Sequence, residues 1–326
     1  MKIFRQNKVF LVLCLIIWVF LLPACQPGTP SPQPTEGKTT IPETQAPTST
    51  PEPTIETPEE ETATAPVETE VTDVPSLPPG PVSLTIDASD GTQLDGRFYP
   101  ASGPDAPLLV LFHWAPGDQS EWEAIAPWLQ NRGNQPDLPE NRPPWLIADW
   151  FPEMPIEASF NVLTFTFRGC EGGCQAFDRE GWLLDVQAVM DYLQTLEDVD
   201  LSHVGTIGAS IGADGAAFGC QYYNEQYGGC QGALSLSPGG YLTIPYPEVV
   251  QNLGSADPPR PAWCLFSTGD SESAGACETA TGDHYRAVAY PGSAHGMAMV
   301  VPEQDPNPLS LMLDFLVQTG LCPECP

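Results

Sequence analysis

Beyond Pro81 the apolar positions switch repeatedly between two spacings, one of strands and one of helices. In "PVSLTIDASDGTQLDGRFYPA", apolar residues alternate with polar ones on either side of an Asp-Gly pair. That predicts a hairpin of two half-exposed strands. Leu108 to Phe112 is instead a continuous apolar run, and "FNVLTFTFRG" repeats it; a strand covered on both faces requires this. Helical spacing returns from Trp122 to Leu129, and in "WLLDVQAVMDYLQTL", where Leu183, Val186, Val189, Met190 and Leu193 share one face. "HVGTIGAS", "GALSLSP", "AWCLFSTGD" and "YRAVAYPGS" predict four further strands. A small-residue helix follows the first of these, and "PLSLMLDFLVQTG" predicts a closing amphipathic helix. Strands alternating with helices predict an α/β fold, a mostly parallel sheet with helices on both faces.

In such sheets the chemistry collects in loops at the carboxyl ends of the strands. Ser210, in "TIGASIGADGAAFG", comes straight after a predicted strand and opens a helix. Its neighbours Gly208, Gly212, Ala213 and Gly215 lack the bulk that would block a sharp turn. The amide of Ile211 then lies at a helix N-terminus, where it can face developing negative charge. A serine hydroxyl also needs a base beside it. Of the four histidines, His203 and His284 precede strands, His113 lies upstream, and His295 follows the last strand in a glycine-flanked loop. A base in turn needs a carboxylate to fix its tautomer. Asp270 ends "AWCLFSTGD", with Glu272 two residues on as the alternative. Ser210, Asp270 and His295 thus each follow a different predicted strand at one sheet edge.

That chain order resembles the α/β-hydrolase family, of the dienelactone-hydrolase-like or esterase type, over roughly residues 82–320. "LFHWAPGD" resembles the family's HG-type loop after its third strand, and "TFRGCEGG" its RGxG-type loop after the fourth. The resemblance implies a serine hydrolase working through an acyl-enzyme on a small acyl substrate, most simply a carboxylic ester, with no cofactor or metal. Ser210 matches the nucleophile, Asp270 the acid and His295 the base. Ile211 matches the first oxyanion amide and Ala115 the second, with Trp114 as the alternative. Trp114 stands where the family has glycine. Dienelactone hydrolases proper carry a nucleophilic cysteine, so their substrate is not implied for a chain with Ser210. A non-catalytic binding lipoprotein on the same fold, or a peptidase or acyltransferase with the same three residues, are the rival readings.

Composition changes the picture mainly at the two ends. Lys2, Arg5 and Lys8 precede the apolar run Val9 to Leu22, which is short for a spanning helix and describes an export signal. Leu22-Pro23-Ala24-Cys25 resembles the lipobox of bacterial lipoproteins, whose cysteine is diacylated. Residues 1–24 are therefore expected to be a signal peptide and Cys25 a lipid anchor on the extracytoplasmic side of a bacterial membrane; the plainer alternative is an ordinary signal peptide or an uncleaved anchor. Residues 26–80 hold 13 Pro, 13 Thr and 10 acidic residues with no Phe, Trp or Tyr. Such a stretch cannot bury enough apolar surface to order itself, so residues 25–80 are expected to be a tether. In polyproline II it would reach on the order of 170 Å.

Residues 81–326, the expected hydrolase domain, hold 32 Asp and Glu against seven Arg and no Lys. That balance argues against nucleic acid and anionic lipid as partners, leaving the membrane to the N-terminal lipid alone. Eight cysteines remain in this domain: Cys170, Cys174, Cys220, Cys230, Cys264, Cys277, Cys322 and Cys325. An even number in an exported chain reads as disulfides, and their neighbouring positions favour four local bridges. The C-terminal "CPEC" has a redox or zinc role as its alternative. Finally, the Pro-rich insertion at 134–159 carries Trp145, Trp150 and Phe151. It reads as a lid or substrate wall, or as a long loop that its aromatics pin to the body.

Overall fold

A computed structural model describes residues 78–133 and 142–325. Cys25, the signal segment, residues 26–77 of the tether and residues 134–141 of the insertion lie outside the described residues. β1 (Val82–Asp87) and β2 (Gln93–Tyr99) pair antiparallel across the Asp90-Gly91 turn, where Gly91 takes a φ of 87°. The strands that follow are β3 (Ala106–Phe112), β4 (Asn161–Phe165), β5 (Val199–Ala209), β6 (Cys230–Leu236), β7 (Ala262–Ser267) and β8 (Tyr285–Tyr290). They form one eight-stranded sheet in the order β1-β2-β4-β3-β5-β6-β7-β8. β2 meets β4 antiparallel, and every pairing from β4 through β8 is parallel. The mostly parallel sheet is therefore as the hydrophobic pattern predicts.

Alternation along β3 explains the layers. Leu108, Val110 and Phe112 point into one apolar core with Val186 and Val189 of α2 (Arg179–Tyr192), Ala216 of α3 (Ile211–Gln226) and Val249 and Val250 of α4 (Tyr246–Gly254). Leu109 and Leu111 point into the other, with Ile125 and Leu129 of α1 (Ile125–Leu129) and Leu309, Leu313 and Phe315 of α6 (Pro308–Gln318). Successive strand residues face opposite sides, so a run that is apolar at every position demands helices on both. α5 (Ser271–Thr279) joins the first layer through Ala274, Ala276 and Cys277.

One element differs from its expectation. The helical spacing of Trp122 to Leu129 becomes a 3-10 turn, Gln119–Trp122, and then the five-residue α1. Pro127 lies inside that stretch. Its ring nitrogen cannot donate to the carbonyl four residues back, so a single continuous helix loses a bond there. The cysteines pair locally as Cys170–Cys174, Cys220–Cys230, Cys264–Cys277 and Cys322–Cys325. No helix among the described residues is long and apolar enough to cross a membrane.

Candidate active site

β5 delivers Ser210 to the carboxyl edge of the sheet, and α3 starts at the next residue. Ser210 sits at φ 55°, ψ −119°, a conformation that L side chains rarely adopt. Such strain persists only where the surroundings over-determine it. Here the Ser210 N–H donates to the Leu236 carbonyl at 2.8 Å, tying the turn to β6. The flanking glycines are required by contact: a Cβ on Gly208 would strike the Gly212 carbonyl, and one on Gly212 the Phe112 carbonyl. The turn thus has the close approach that the small residues around Ser210 suggest.

The loop after β8 brings His295 over the serine. Its Nε2 lies 2.8 Å from Ser210 Oγ, and its Nδ1 lies 2.6 Å from Asp270 Oδ2. A carboxylate accepts only, so Nδ1 carries the proton and the Nε2 lone pair faces the hydroxyl. Asp270 follows β7 and immediately precedes α5. Burial works to raise its carboxyl, but the hydrogen bond from His295, together with Ser273, outweighs it and holds Asp270 below the usual range. His295 Nδ1 is bonded to Asp270 rather than to Glu272, the alternative acid, whose charge, like that of Asp270, acts on Tyr241. Three residues from the ends of three strands, 25 and 85 positions from His295, meet in one hydrogen-bonded line.

The other histidines fall elsewhere. His203 pairs with Asp200 at 2.5 Å near the start of β5, and His284 stands just before β8. His113 is fully buried, and burial pushes it down to about 4, so it is neutral at ordinary pH. Its Nε2 accepts the Phe167 N–H at 2.9 Å, which makes Nδ1 the donor to the Trp114 carbonyl at 2.8 Å. That carbonyl shares a planar peptide with the Ala115 N–H. His113 therefore sets the direction of the Ala115 amide. The Ala115 carbonyl accepts the Cys174 N–H at 2.8 Å, so the loop after β4 braces the loop after β3.

Two positioning residues carry no role in the sequence reading. Ser237, at the tip of β6 with φ 56°, accepts the Gly296 N–H at 3.0 Å and so holds the loop that bears His295. Asp214, one turn into α3, accepts the N–H groups of Gly239 and Gly240 at 2.9 and 2.8 Å. Those amides lead to Tyr241, whose ring stands perpendicular to His295 at 6.1 Å between centroids. Burial, against the pull of those amides, raises Asp214 to about 7. Both residues carry a signal: Ser237 follows a buried strand as Ser210 does, and Asp214 is a lone charge among Gly and Ala.

The described part of the insertion, 142–159, is fastened to the body. Trp145 Nε1 donates to Glu121 Oε2 at 2.7 Å, and Trp128 Nε1 reaches the Pro152 carbonyl at 2.7 Å. Trp150 Nε1 donates within the insertion to the Pro144 carbonyl at 2.8 Å, and Arg142 pairs with Glu123. Phe151 is buried. The arrangement is that of aromatics pinning a long loop, with Trp145 at its inner edge against Trp114.

No family model matches the chain. Over 130 residues, 40% of its length, it is 28% identical to the uncharacterised protein YfhR of Escherichia coli. A Salmonella typhi YfhR is 26% identical over 134 residues. The chain spans only 38% of the length of each of these relatives. Among solved structures, the Pyrococcus furiosus esterase Pf2001 superposes with a TM-score of 0.51 at 15% identity, covering 73% of this chain and 92% of that one. A Pyrobaculum calidifontis esterase does so with a TM-score of 0.51 at 14% identity, over 75% and 87%. Likenesses at that identity speak for architecture alone. Together with the strand order, they establish that the described residues have the α/β-hydrolase fold.

Proposed function

We propose that the protein is a serine hydrolase that cleaves a carboxylic ester through an acyl-enzyme. The observation that carries this reading is the continuous line from Asp270 through His295 to Ser210 Oγ, with links of 2.6 and 2.8 Å. In the first half-reaction His295 Nε2 takes the Ser210 proton as the oxygen attacks the acyl carbon. The amides of Ile211 and Ala115 receive the oxyanion; the fixed Trp114–Ala115 peptide supports Ala115 over Trp114 as the second donor. His295 then protonates the departing alcohol, leaving an ester on Ser210. In the second half, water gives its proton to Nε2 and attacks that ester, and the carboxylic acid leaves as Ser210 regains its hydrogen. Each oxyanion donor is worth roughly 100- to 1000-fold in turnover.

A fluorophosphonate probe on the purified protein tests this. Covalent labelling of the native chain, abolished in Ser210→Ala, is the expected result. An unlabelled native protein refutes it and favours the binding-lipoprotein reading, and equal labelling of the variant refutes Ser210 as the nucleophile. Panels of short-chain esters, sugar acetates and peptides then separate an esterase from a peptidase or acyltransferase.

The same reading places the enzyme outside the cytoplasmic membrane, anchored through lipid on Cys25 and held away by residues 26–80. The basic-then-apolar start and the Leu22-Pro23-Ala24-Cys25 run support it. Mass spectrometry of membrane-extracted protein should find residues 1–24 removed and Cys25 diacylated. An unmodified Cys25 in the mature chain overturns the anchor and leaves the chemistry untouched.

A further inference from the structure

The two flanks of Ser210 differ. β5 has β3 on one side and β6 on the other, so the loop with Trp114 and the loop with Tyr241 stand on opposite sides of the nucleophile. On the β3 side, Trp114 replaces the hydrogen of a glycine with an indole that bends back over the site. A Cβ on Gly296 would lie 2.9 Å from Trp114 Cε3 and 3.6 Å from Ser210 Cβ, so the indole fills the space between the β3 loop and the histidine loop. Gly296 at φ 56° has no side chain to oppose it. Trp145 backs the indole edge to face at 5.5 Å, and Trp145 is itself held by Glu121. This wall is packed and hydrogen-bonded from behind, so it does not yield easily to a bulky group.

The β6 side is open and aromatic. Tyr241 stands against His295, and Phe177 lies 6.2 Å from Tyr241 and 4.9 Å from Trp182 while remaining 60% exposed. In the hydrolase reading the acyl carbonyl oxygen must reach the Ala115 amide, on the residue after Trp114, so the acyl group lies against the β3 loop and the Trp114 indole.

We propose that Trp114 is a specificity-determining residue that limits the acyl group to a short chain, so that the substrates are short-acyl esters. The inference rests on the hydrolase reading above and adds the substrate class to it.

The test is kcat/KM of the native protein and of Trp114→Ala and Trp114→Phe on 4-nitrophenyl acetate, butyrate and octanoate, with fluorophosphonate labelling in parallel. The native protein is expected to prefer acetate to octanoate by at least ~100-fold, since exclusion of even one methylene reaches about 10-fold. Trp114→Ala should reduce that preference at least tenfold, with Trp114→Phe between. If Trp114→Ala does not fold, Trp145→Ala removes the ring behind the indole and should shift the same ratio in the same direction. A labelled native protein that hydrolyses octanoate as fast as acetate, or variants whose ratio stays within twofold of native, overturns the size limit and leaves the hydrolase reading intact. A native protein inert to the probe overturns both.

Discussion

Asp214 offers a quantitative test of how the site is held. Its carboxyl is buried one turn beyond Ser210, bound to the amides of Gly239 and Gly240, and burial raises it from 3.8 to about 7. At about 1.4 kcal/mol per pH unit, keeping that carboxylate ionised in the folded state costs roughly 4 kcal/mol. The folded protein binds a proton here that the unfolded chain has lost between about pH 4 and pH 7. Stability from this group therefore falls as pH rises through that window and is lowest above it. Asp214→Asn removes the titration and retains one acceptor oxygen for the two amides. The assay is urea unfolding of both proteins at pH 4.5, 6 and 8, followed by tryptophan fluorescence with disulfides intact. All other carboxyls are common to the pair, so their effects cancel in the difference. From pH 4.5 to 8 the native protein should lose roughly 3 to 4 kcal/mol relative to the variant. Parallel stability curves, within about 0.5 kcal/mol at all three pH values, would refute the buried-carboxylate argument.

The remaining predictions concern the acid and the buried ion pair. Asp270→Asn should keep the circular dichroism of the native fold and lower turnover by about 10⁴-fold, because the amide favours the wrong imidazole tautomer. Turnover within tenfold of native on the best ester of the panel would move the acid role to Glu272. Arg168 pairs through Nε with Asp185 at 2.7 Å and through its terminal nitrogens with Asp90. Burial already raises Asp185 to about 6 with that partner present. Arg168→Met leaves a buried charge unpaired, so it should cost about 3–5 kcal/mol at pH 8. The cost should shrink at pH 5, where Asp185 takes up a proton; a loss that does not vary between these pH values in urea unfolding would count against it.

How much of this was readable from residues follows from the range of the interactions involved. β3, β4 and β7 announce themselves because burial on both faces forces near-continuous apolar runs, and that constraint is local. β8 is an edge strand exposed along much of its length, yet "YRAVAY" still alternates enough to mark it. α4 and α5 are absent from the pattern for different reasons. Tyr246, Val249, Val250 and Leu253 do give α4 an apolar face, but over only nine residues after a proline-rich loop. α5, "SESAGACET", packs through alanines and Cys277 and has no large apolar residue for a periodicity to register.

The same distinction separates the three residues of the proposed triad from those that hold them. Ser210, Asp270 and His295 can be located singly, because each is bound to the end of its own strand and the sheet brings strand ends together. His113 is fixed by an amide 54 residues away, and Asp214 and Ser237 hold loops 25 and 59 residues away, so no local rule reveals these partners. What the sequence does show is anomaly: a charge in a helix of Gly and Ala, a serine capping a buried strand, and an indole in a glycine's place. Each of the three anomalies lies at Ser210's edge of the sheet, where Asp214 fixes the path to Tyr241, Ser237 steadies the histidine loop, and Trp114 narrows one flank. A polar group buried without function would be replaced by an apolar one at little cost or even a gain in stability. Its presence next to a strained serine is better explained if catalysis needs the loops to stay where they are, and the stability difference between Asp214 and its asparagine variant measures what holding one of them in place costs.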